Sequence, residues 1–144
     1  MTDTASQETL VERLNEHCPP FVKLMGGHVI AANPIDGSCT FEFCVPTDYC
    51  HSGDVVQGGF VAAMLDAAMA HAVFASETTV TRLSSLEIST RFESVTRGNA
   101  QLRVEGRIKK MTRSIAFLEA DIRGQDGEVL ACASSTAKVA RDAT

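Results

Sequence analysis

The feature that most constrains this chain is an apolar stretch, VVQGGFVAAMLDAAMAHAVFA, which runs from Val55 to Ala75. Ala, Met and Leu favour helices. The stretch is apolar around nearly its whole circumference, which is typical of a helix buried on most sides. Gln57, Asp66 and His71 interrupt it, so no uncharged run reaches the roughly 18 residues of a membrane span. The sequence therefore predicts one long helix buried in a protein core.

Alternating apolar and polar residues on both sides of this helix predict β-strands. Before it, DGSCTFEFCVP places Cys39, Phe41 and Phe43 on one face. FVKLMGGHVIAANP is predicted as an earlier strand with a bulge or bend at Gly26–Gly27. Four strands follow the helix, and GQDGE is predicted as the hairpin turn between the last two. Two of these four have clear faces, namely Leu86, Ile88, Thr90 and Phe92 in one, and Leu102, Val104, Gly106 and Ile108 in the other.

The order of these elements predicts an α+β fold. A short amphipathic helix is predicted over 9–17, ended by Pro19–Pro20. A single apolar helix must lie against an antiparallel sheet that wraps around it. Residues 1–20 are predicted as an N-terminal helical segment and residues 21–144 as the sheet-and-helix domain, a single domain overall. Because one face of such a sheet is poorly covered, we expect the chain to form at least a dimer.

Charge and cysteine content narrow the class of protein. The 144 residues carry a net charge of −5, which disfavours a broad nucleic-acid footprint. The five cysteines are an odd number without a C-x-x-C spacing, so neither a disulfide framework nor a zinc site is predicted. The N-terminal sequence is polar and lacks the apolar core of a signal peptide. We therefore expect a cytoplasmic protein with no metal, no nucleic-acid partner and no membrane partner.

Two glycines at the start of the long helix suggest a site for developing negative charge. Gly58 and Gly59 allow another backbone or a ligand to approach closely. The first amides of a helix lack internal acceptors, and the helix dipole is positive at that end. An oxyanion would be stabilised there. The structural alternative is a tight turn that precedes the helix.

A single carboxylate, Asp66, lies near the middle of the same helix. An unpaired buried carboxylate is costly, and Asp is a mediocre helix former, so a functional role is favoured over a structural one. Asp66 follows Gly58 by eight residues, which is about 12 Å along the helix axis. One carbonyl carbon cannot touch both within one helix. If the two residues act together they come from different chains, which predicts a site at a dimer interface.

At this point the residues resemble a known family. HSGDVVQGGFVAAMLDAA, residues 51–68, is similar to the characteristic sequence of hotdog-fold thioesterases, in particular the phenylacetate-pathway (PaaI-like) branch. GEVLACASSTAKV, residues 127–139, resembles the closing strand pair of that branch. The resemblance extends over residues 21–139 in element order. It implies a hotdog fold, hydrolysis of an acyl-CoA thioester, and a homodimer or homotetramer.

The resemblance also implies roles for individual residues. Gly58 would donate its backbone N–H to the thioester carbonyl. Asp66 would be either the general base for water or a nucleophile that forms a transient anhydride. Ser85 falls where the family places a hydroxyl that helps to hold the water, in the same subunit as Asp66, and its neighbour Ser84 is a second candidate. The expected substrate carries a medium-chain or aromatic acyl group, with CoA as part of the substrate and no cofactor.

Two positions depart from the family pattern. The usual His before Gly-Gly is Gln57 here, and the usual upstream Asn is His51. Either residue could orient the carbonyl or the leaving thiolate, although Gln57 carries no titratable proton. His51 with Asp66 also resembles the pair used by hotdog acyl-thioester dehydratases and hydratases, which is the main alternative function. A non-catalytic acyl-CoA binding protein is the third possibility.

A basic cluster, RIKKMTR at residues 107–113, is the candidate for the phosphates of CoA. Lys110 and Arg113 are favoured within it, with Gly59 and Ser84 as further candidates for CoA contact. A solvated hairpin tip is the structural alternative for the basic residues.

Other residues have simpler explanations. His71 lies about 140° around the helix from Asp66, so we expect it to be structural. Adjacent residues of an extended chain point to opposite sides, which argues against a Cys50–His51 dyad. Small helix residues either leave room for the acyl group or allow close packing of helix against sheet; these are Ala62, Ala63, Ala67 and Ala70.

Overall fold

The computed structural model describes residues 4–142, so the first three and last two residues of the two predicted segments lie outside it. One antiparallel six-stranded sheet curves around one long helix, α3, as predicted. The helices are α1 (Thr4–Glu16), α2 (Pro20–Leu24) and α3 (Gly58–Ser76). The strands are β1 (Gly27–Asn33), β2 (Ser38–Cys44), β3 (Cys50–His51), β4 (Val55–Val56), β5 (Val80–Phe92), β6 (Gln101–Met111), β7 (Ile115–Arg123) and β8 (Val129–Arg141).

The strand order in the large sheet is β1-β2-β6-β7-β8-β5, which leaves β1 and β5 as its edges. The two short strands β3 and β4 pair separately and lead into α3. We call the side of the sheet that faces α3 the inner face. It is the predicted apolar face of β2 and β6, since Cys39, Phe41, Phe43, Leu102 and Val104 are all buried.

The helix α3 approaches the sheet very closely at Gly106. A Cβ added at that position would lie 2.2 Å from the carbonyl oxygen of Ala68. Because both groups at this contact are backbone, only glycine at position 106 allows the helix to lie so near β6. The small residues Ala67 and Ala68 are buried on this side of the helix.

By length and composition, α3 could also cross a membrane. Its most apolar 18-residue window has a mean hydropathy of 1.5. However, 56% of that window is buried inside the protein. The helix is therefore the core helix that the sequence predicted, and its apolar side chains are buried largely against the sheet.

The segment before β1 corrects one prediction. The expected strand over FVKLMGG is instead the short helix α2, followed by a turn. Pro20 occupies the first turn of α2, where its missing N–H costs nothing and its fixed φ suits the helix. Val22 and Met25, three residues apart, are buried together. Gly26, with φ of 76°, makes the bend, but the bulge of β1 lies at Val29–Ala31.

Two further predictions need correction. Val55 and Val56, expected at the start of the long helix, are extended in β4, and the helix begins at Gly58. The predicted apolar face of β5 is interrupted, because a register shift between Ser85 and Glu87 takes Leu86 out of alternation with Ile88, Thr90 and Phe92. Leu86, Ile88 and Phe92 are all exposed, because they lie on an edge strand that packing within the chain covers only in part.

Candidate active site

The start of α3 is held in place by two neighbouring loops. The backbone N–H of Gln57 donates to the carbonyl of Tyr49 at 3.0 Å, and that of Val56 donates to Thr96 at 2.9 Å. An Arg97–Asp54 ion pair of 2.7 Å joins the loop that contains Thr96 to the β3–β4 turn at the surface. The direction in which Gln57 enters the helix is therefore fixed by contacts outside the helix.

The first two amides of α3 are free to bind a ligand. Gln57 precedes the helix and makes no side-chain cap. Its carbonyl accepts the N–H groups of Phe60 and Val61. Within residues 4–142, no acceptor is bonded to the N–H of Gly58 or of Gly59. These two donors at a positive helix end can stabilise an anion or a developing oxyanion.

The two glycines have different surroundings. A Cβ at Gly58 would lie 3.3 Å from Cζ of Phe92, whereas a Cβ at Gly59 would meet nothing within 4 Å. Packing within the chain thus crowds position 58 only slightly, through one exposed ring, and does not restrict position 59. Gly59 borders open space at the helix start.

Asp66 lies on the side of α3 that borders the edge strand β5, which we call the open side, and is half-buried. The hydroxyl of Ser85 donates to Oδ1 of Asp66 at 3.0 Å. Ser85 is opposite the buried Ala137 of β8, so its side chain is on the inner face. Asp66 and Ser85 of one chain therefore form a carboxylate–hydroxyl pair, with the second carboxylate oxygen left for another partner.

Small residues flank Asp66 on the same open side. Ala62, Ala63 and Ala70 are half-buried, in contrast to the fully packed Ala67 and Ala68 on the sheet side. The small residues thus divide into two sets. One set allows the helix to approach the sheet, and the other leaves room beside the carboxylate.

Gly58 and Asp66 belong to one continuous helix, so about 12 Å of helix axis separates them within a chain. The predicted residues therefore fall into separate groups. Gln57, Gly58 and Gly59 form one group at the helix start, and Asp66 with Ser85 forms a second. His51 belongs to the first group in sequence, since it lies opposite Val55 in the β3–β4 pair. Its ring is exposed, and Nδ1 is 3.1 Å from the hydroxyl of Ser52.

The candidates for CoA contact lie elsewhere. Lys110 is exposed near the end of β6, and Arg113 is exposed in the turn to β7. Ser84 is opposite Lys138 in the β5–β8 pair, so it points to the outer face of the sheet, away from Asp66. Arg107 of the same basic cluster is not a free cation, because it forms ion pairs with Glu105, Glu119 and Asp121.

His71 is buried, as expected for a structural residue. Its Nδ1 lies 2.7 Å from the carbonyl oxygen of Ala67, so Nδ1 carries the proton and donates. Nε2 then accepts from the thiol of Cys18 at 3.5 Å. Burial lowers the pKa of His71 and raises that of Cys18, which favours the neutral forms of both.

The predicted absence of a Cys50–His51 dyad agrees with the side-chain contacts. The Cys50 thiol points towards the carbonyl of Pro46 at 3.9 Å, while His51 contacts Ser52. Among residues 4–142, no group of three or more His, Cys, Asp or Glu side chains is placed to hold a metal ion.

Sequence patterns did not identify one residue of the site. Phe92, predicted only as part of an apolar strand face, lies against Gly58 at the start of α3. No local pattern marks this contact, because it joins residues 34 positions apart. The exposure of a large apolar residue is the structural signal that identifies it.

Comparison with known proteins gives a family match over much of this region. A family model described as the thioesterase superfamily matches residues 53–131, more than half of the chain. The match begins just before the helix start and includes Asp66 and Ser85. A search among curated proteins gives no match.

Solved structures give the same likeness in three dimensions. A phenylacetic acid degradation-related protein from Ralstonia eutropha JMP134 is 25% identical with a TM-score of 0.79, over 90% of this chain and 98% of that chain. A mutant of the phenylacetic acid degradation protein PaaI from Thermus thermophilus is 19% identical with a TM-score of 0.73, over 83% and 98%. A thioesterase protein from Streptococcus pneumoniae TIGR4, solved with coenzyme A, is 16% identical with a TM-score of 0.73, over 82% and 88%. The last two likenesses show the fold alone, which is the hotdog fold.

Proposed function

Because the chain belongs to the thioesterase superfamily and is a hydrolase of thioesters, we propose that it hydrolyses an acyl-CoA with a medium-chain or aromatic acyl group to the free acid and CoA. The observation that carries this proposal is the Asp66–Ser85 pair on the open side of an otherwise apolar helix. A carboxylate held in this way can activate water or attack a carbonyl carbon directly. The Streptococcus pneumoniae thioesterase structure with coenzyme A supports CoA as the leaving group.

The proposed reaction uses two groups of opposite character. The free N–H of Gly58 receives the thioester oxygen, and its hydrogen bond strengthens as that oxygen becomes an oxyanion. If Asp66 is a base, it takes a proton from water, the water oxygen bonds to the carbonyl carbon, and the proton passes to the departing sulfur as the C–S bond breaks. If Asp66 is a nucleophile, its oxygen displaces CoA to give an anhydride, which water then cleaves. In both cases Ser85 orients the carboxylate by donating to Oδ1.

The site needs two chains. A thioester whose oxygen lies about 3 Å from the Gly58 nitrogen cannot also bring its carbonyl carbon to Asp66 of the same helix, some 12 Å along the axis. We therefore place Gly58 of one subunit opposite the partner subunit's Asp66. The edge strand β5 supports this assembly, since it has unpaired backbone groups on one side and exposed Leu86 and Ile88. A homodimer joined along β5, or a homotetramer of two such dimers, would cover this edge.

The remaining candidates have auxiliary roles in this proposal. Gln57 directly precedes the oxyanion donors, and His51 lies opposite Val55 in the strand pair that leads to them. Either residue could orient the carbonyl or the leaving thiolate. Lys110 and Arg113 are exposed cations suited to the phosphates of CoA. Gly59 borders open space, which leaves room for the pantetheine arm or the partner chain. Ser84 points to the outer face, so its contribution would be limited to CoA that passes over the sheet edge.

The experiment that tests the proposal is hydrolysis of a panel of acyl-CoAs, from short to long chains together with phenylacetyl-CoA and benzoyl-CoA. Wild type and Asp66→Asn are compared with Asp36→Asn, a control in the exposed turn between β1 and β2. Released thiol is followed with a disulfide reagent after correction for the five cysteines of the protein. We expect turnover by wild type and the control, and a loss of about 100-fold or more in Asp66→Asn.

Other outcomes would contradict the proposal in distinct ways. Equal turnover by wild type and Asp66→Asn would mean that Asp66 is structural. Hydration of a 2-enoyl-CoA without hydrolysis would favour the dehydratase or hydratase function through His51 and Asp66. Binding of acyl-CoA without any turnover would leave a non-catalytic binding protein.

A further inference from the structure

The aromatic ring of Phe92 forms a wall beside the proposed oxyanion donor. Phe92 is the last residue of β5 and lies opposite the buried Ala131 of β8, so its side chain is on the inner face of the sheet. Three ring atoms, Cζ, Cε1 and Cε2, lie 3.3, 3.6 and 3.9 Å from where a Cβ of Gly58 would be. The tip of the ring therefore touches the first residue of α3.

Packing within the chain leaves much of the Phe92 ring exposed. Phe92 is 56% exposed, and Phe60, in the first turn of α3, is 37% exposed. Phe60 is held edge-to-face against Tyr49, with ring centroids 4.8 Å apart and the planes at 87°. Gly59 lies beside open space. The helix start is thus bordered by aromatic surface on two sides and is open at the second glycine.

We propose that Phe92 is a specificity-determining residue, whose ring discriminates acyl groups by their bulk at the carbon next to the carbonyl. This inference rests on the proposed function, because it takes the Gly58 amide as the donor to the thioester oxygen. A carbonyl bonded to that amide brings its α-carbon within reach of the ring that touches Gly58. The Phe92 ring leaves space for an acyl group whose α-carbon is a methylene or is planar. It clashes with an acyl group that is branched at the α-carbon.

The size of the effect follows from the way enclosed apolar sites discriminate. One additional methyl or methylene group changes relative rates by about 10–200-fold in hydrophobic pockets. We therefore expect wild type to prefer butyryl-CoA over isobutyryl-CoA, two substrates with the same number of carbons. Removal of the ring should reduce that preference by roughly fivefold or more.

The experiment compares kcat/KM for butyryl-CoA and isobutyryl-CoA in wild type, Phe92→Ala and Phe92→Leu. Phe117→Ala is the matched control, since Phe117 is 40% exposed but lies on the outer face in β7. Phe92→Ala should reduce the butyryl preference by roughly fivefold or more, Phe92→Leu by less, and Phe117→Ala should leave it unchanged. A preference that stays within about twofold of wild type in both Phe92 variants would overturn the proposal.

A binding measurement separates this proposal from the proposed function. The ketone analogues 2-oxopentyl-CoA and 3-methyl-2-oxobutyl-CoA keep the carbonyl and the two acyl shapes but cannot be hydrolysed. Their Kd values, measured by calorimetry on the same variants, should show the same shift in ratio in Phe92→Ala. If wild type hydrolyses nothing yet the Kd ratio shifts, the hydrolytic function fails and the role of Phe92 stands. An unchanged Kd ratio, or no binding of either analogue to wild type, would overturn the role of Phe92.

Discussion

The two sides of α3 use the same small residues for different purposes. On the sheet side, Ala68 lies against Gly106 so closely that no side chain fits between helix and strand. On the open side, Ala63 and Ala70 flank Asp66 and are only half-buried. Substitutions on the sheet side should therefore change stability, and substitutions on the open side should change activity. This division explains why an otherwise apolar helix contains one carboxylate.

The largest effect on stability is expected at Gly106. In Gly106→Ala the new Cβ would lie 2.2 Å from the carbonyl oxygen of Ala68, a backbone atom that cannot move alone. We expect the free energy of unfolding to fall by about 3 kcal/mol, at the upper end of overpacking effects. Denaturant titration measures this fall. The matched control is Gly59→Ala, whose Cβ meets nothing within 4 Å and should not destabilise the chain; equal losses in both variants would contradict the division.

A smaller effect is expected at Ser85, which touches the open side. Ser85→Ala removes the hydrogen bond to Oδ1 of Asp66. Loss of about 1.4 kcal/mol, in the range of a hydrogen bond to a charged group, corresponds to roughly a tenfold fall in kcat. The melting temperature should stay close to that of wild type, because Ser85 is exposed. Ser84→Ala, on the outer face of the same strand, is the control, and a kcat loss as large as that of Ser85→Ala would argue against the carboxylate as the cause.

The smallest effect concerns the pH dependence of stability at the sheet side of α3. Burial lowers the pKa of His71 below its usual value, while the unfolded chain keeps a value of about 6.5. As the pH falls below that value, the unfolded state binds a proton that the folded state resists, so stability is lost. Above it, the contribution of His71 is fully present.

The measurement is the free energy of unfolding from about pH 7.5 to about pH 5, a range that spans the ordinary pKa of histidine, compared for wild type and His71→Asn. Asn retains an N–H that can donate to Ala67, but it does not titrate. The variant should be less stable throughout, with a flatter pH profile than wild type. His28→Asn, at an exposed position of β1, should keep the wild-type profile; the same flattening there would show that burial of His71 is not the cause.

The sequence predicted the core more completely than the edges. The alternation of Cys39, Phe41 and Phe43 is buried as predicted, and the long helix lies where its composition indicates. Such patterns are local and are satisfied within one chain. The segment around Val22 was predicted as a strand and is a helix. Its apolar run is too short to distinguish the periodicity of a helix from that of a strand.

The features that the sequence did not reveal depend on residues far apart along the chain. Arg107 forms ion pairs with Glu119 and Asp121, which lie in β7 beside β6. The contact of Phe92 with Gly58 arises from the position of β5 at the sheet edge, which strand patterning does not specify. The bulge between Ser85 and Glu87, which removes Leu86 from the predicted apolar face of β5, is likewise invisible in the alternation of residue types.

The central claim is that Gly58 of one subunit and the carboxylate of its partner act on the same thioester. Gly58→Pro removes the proposed donor at small structural cost. Proline is favoured at the first position of a helix, and Gln57, with φ of −58° and ψ of 137°, already has the extended conformation that a following proline requires. The three heavy atoms nearest to a Cβ at this position all belong to Phe92, whose ring is exposed and can move.

The most direct measurement is the activity of mixed oligomers that contain one Gly58→Pro subunit and one Asp66→Asn subunit, isolated through two different affinity tags. Each variant alone should be inactive by about 100-fold or more. A site shared between subunits is intact once in every mixed dimer, so activity should return to about half that of wild type. If activity stays at the level of the separate variants, the two residues act within one chain or not together, and the proposed site is wrong.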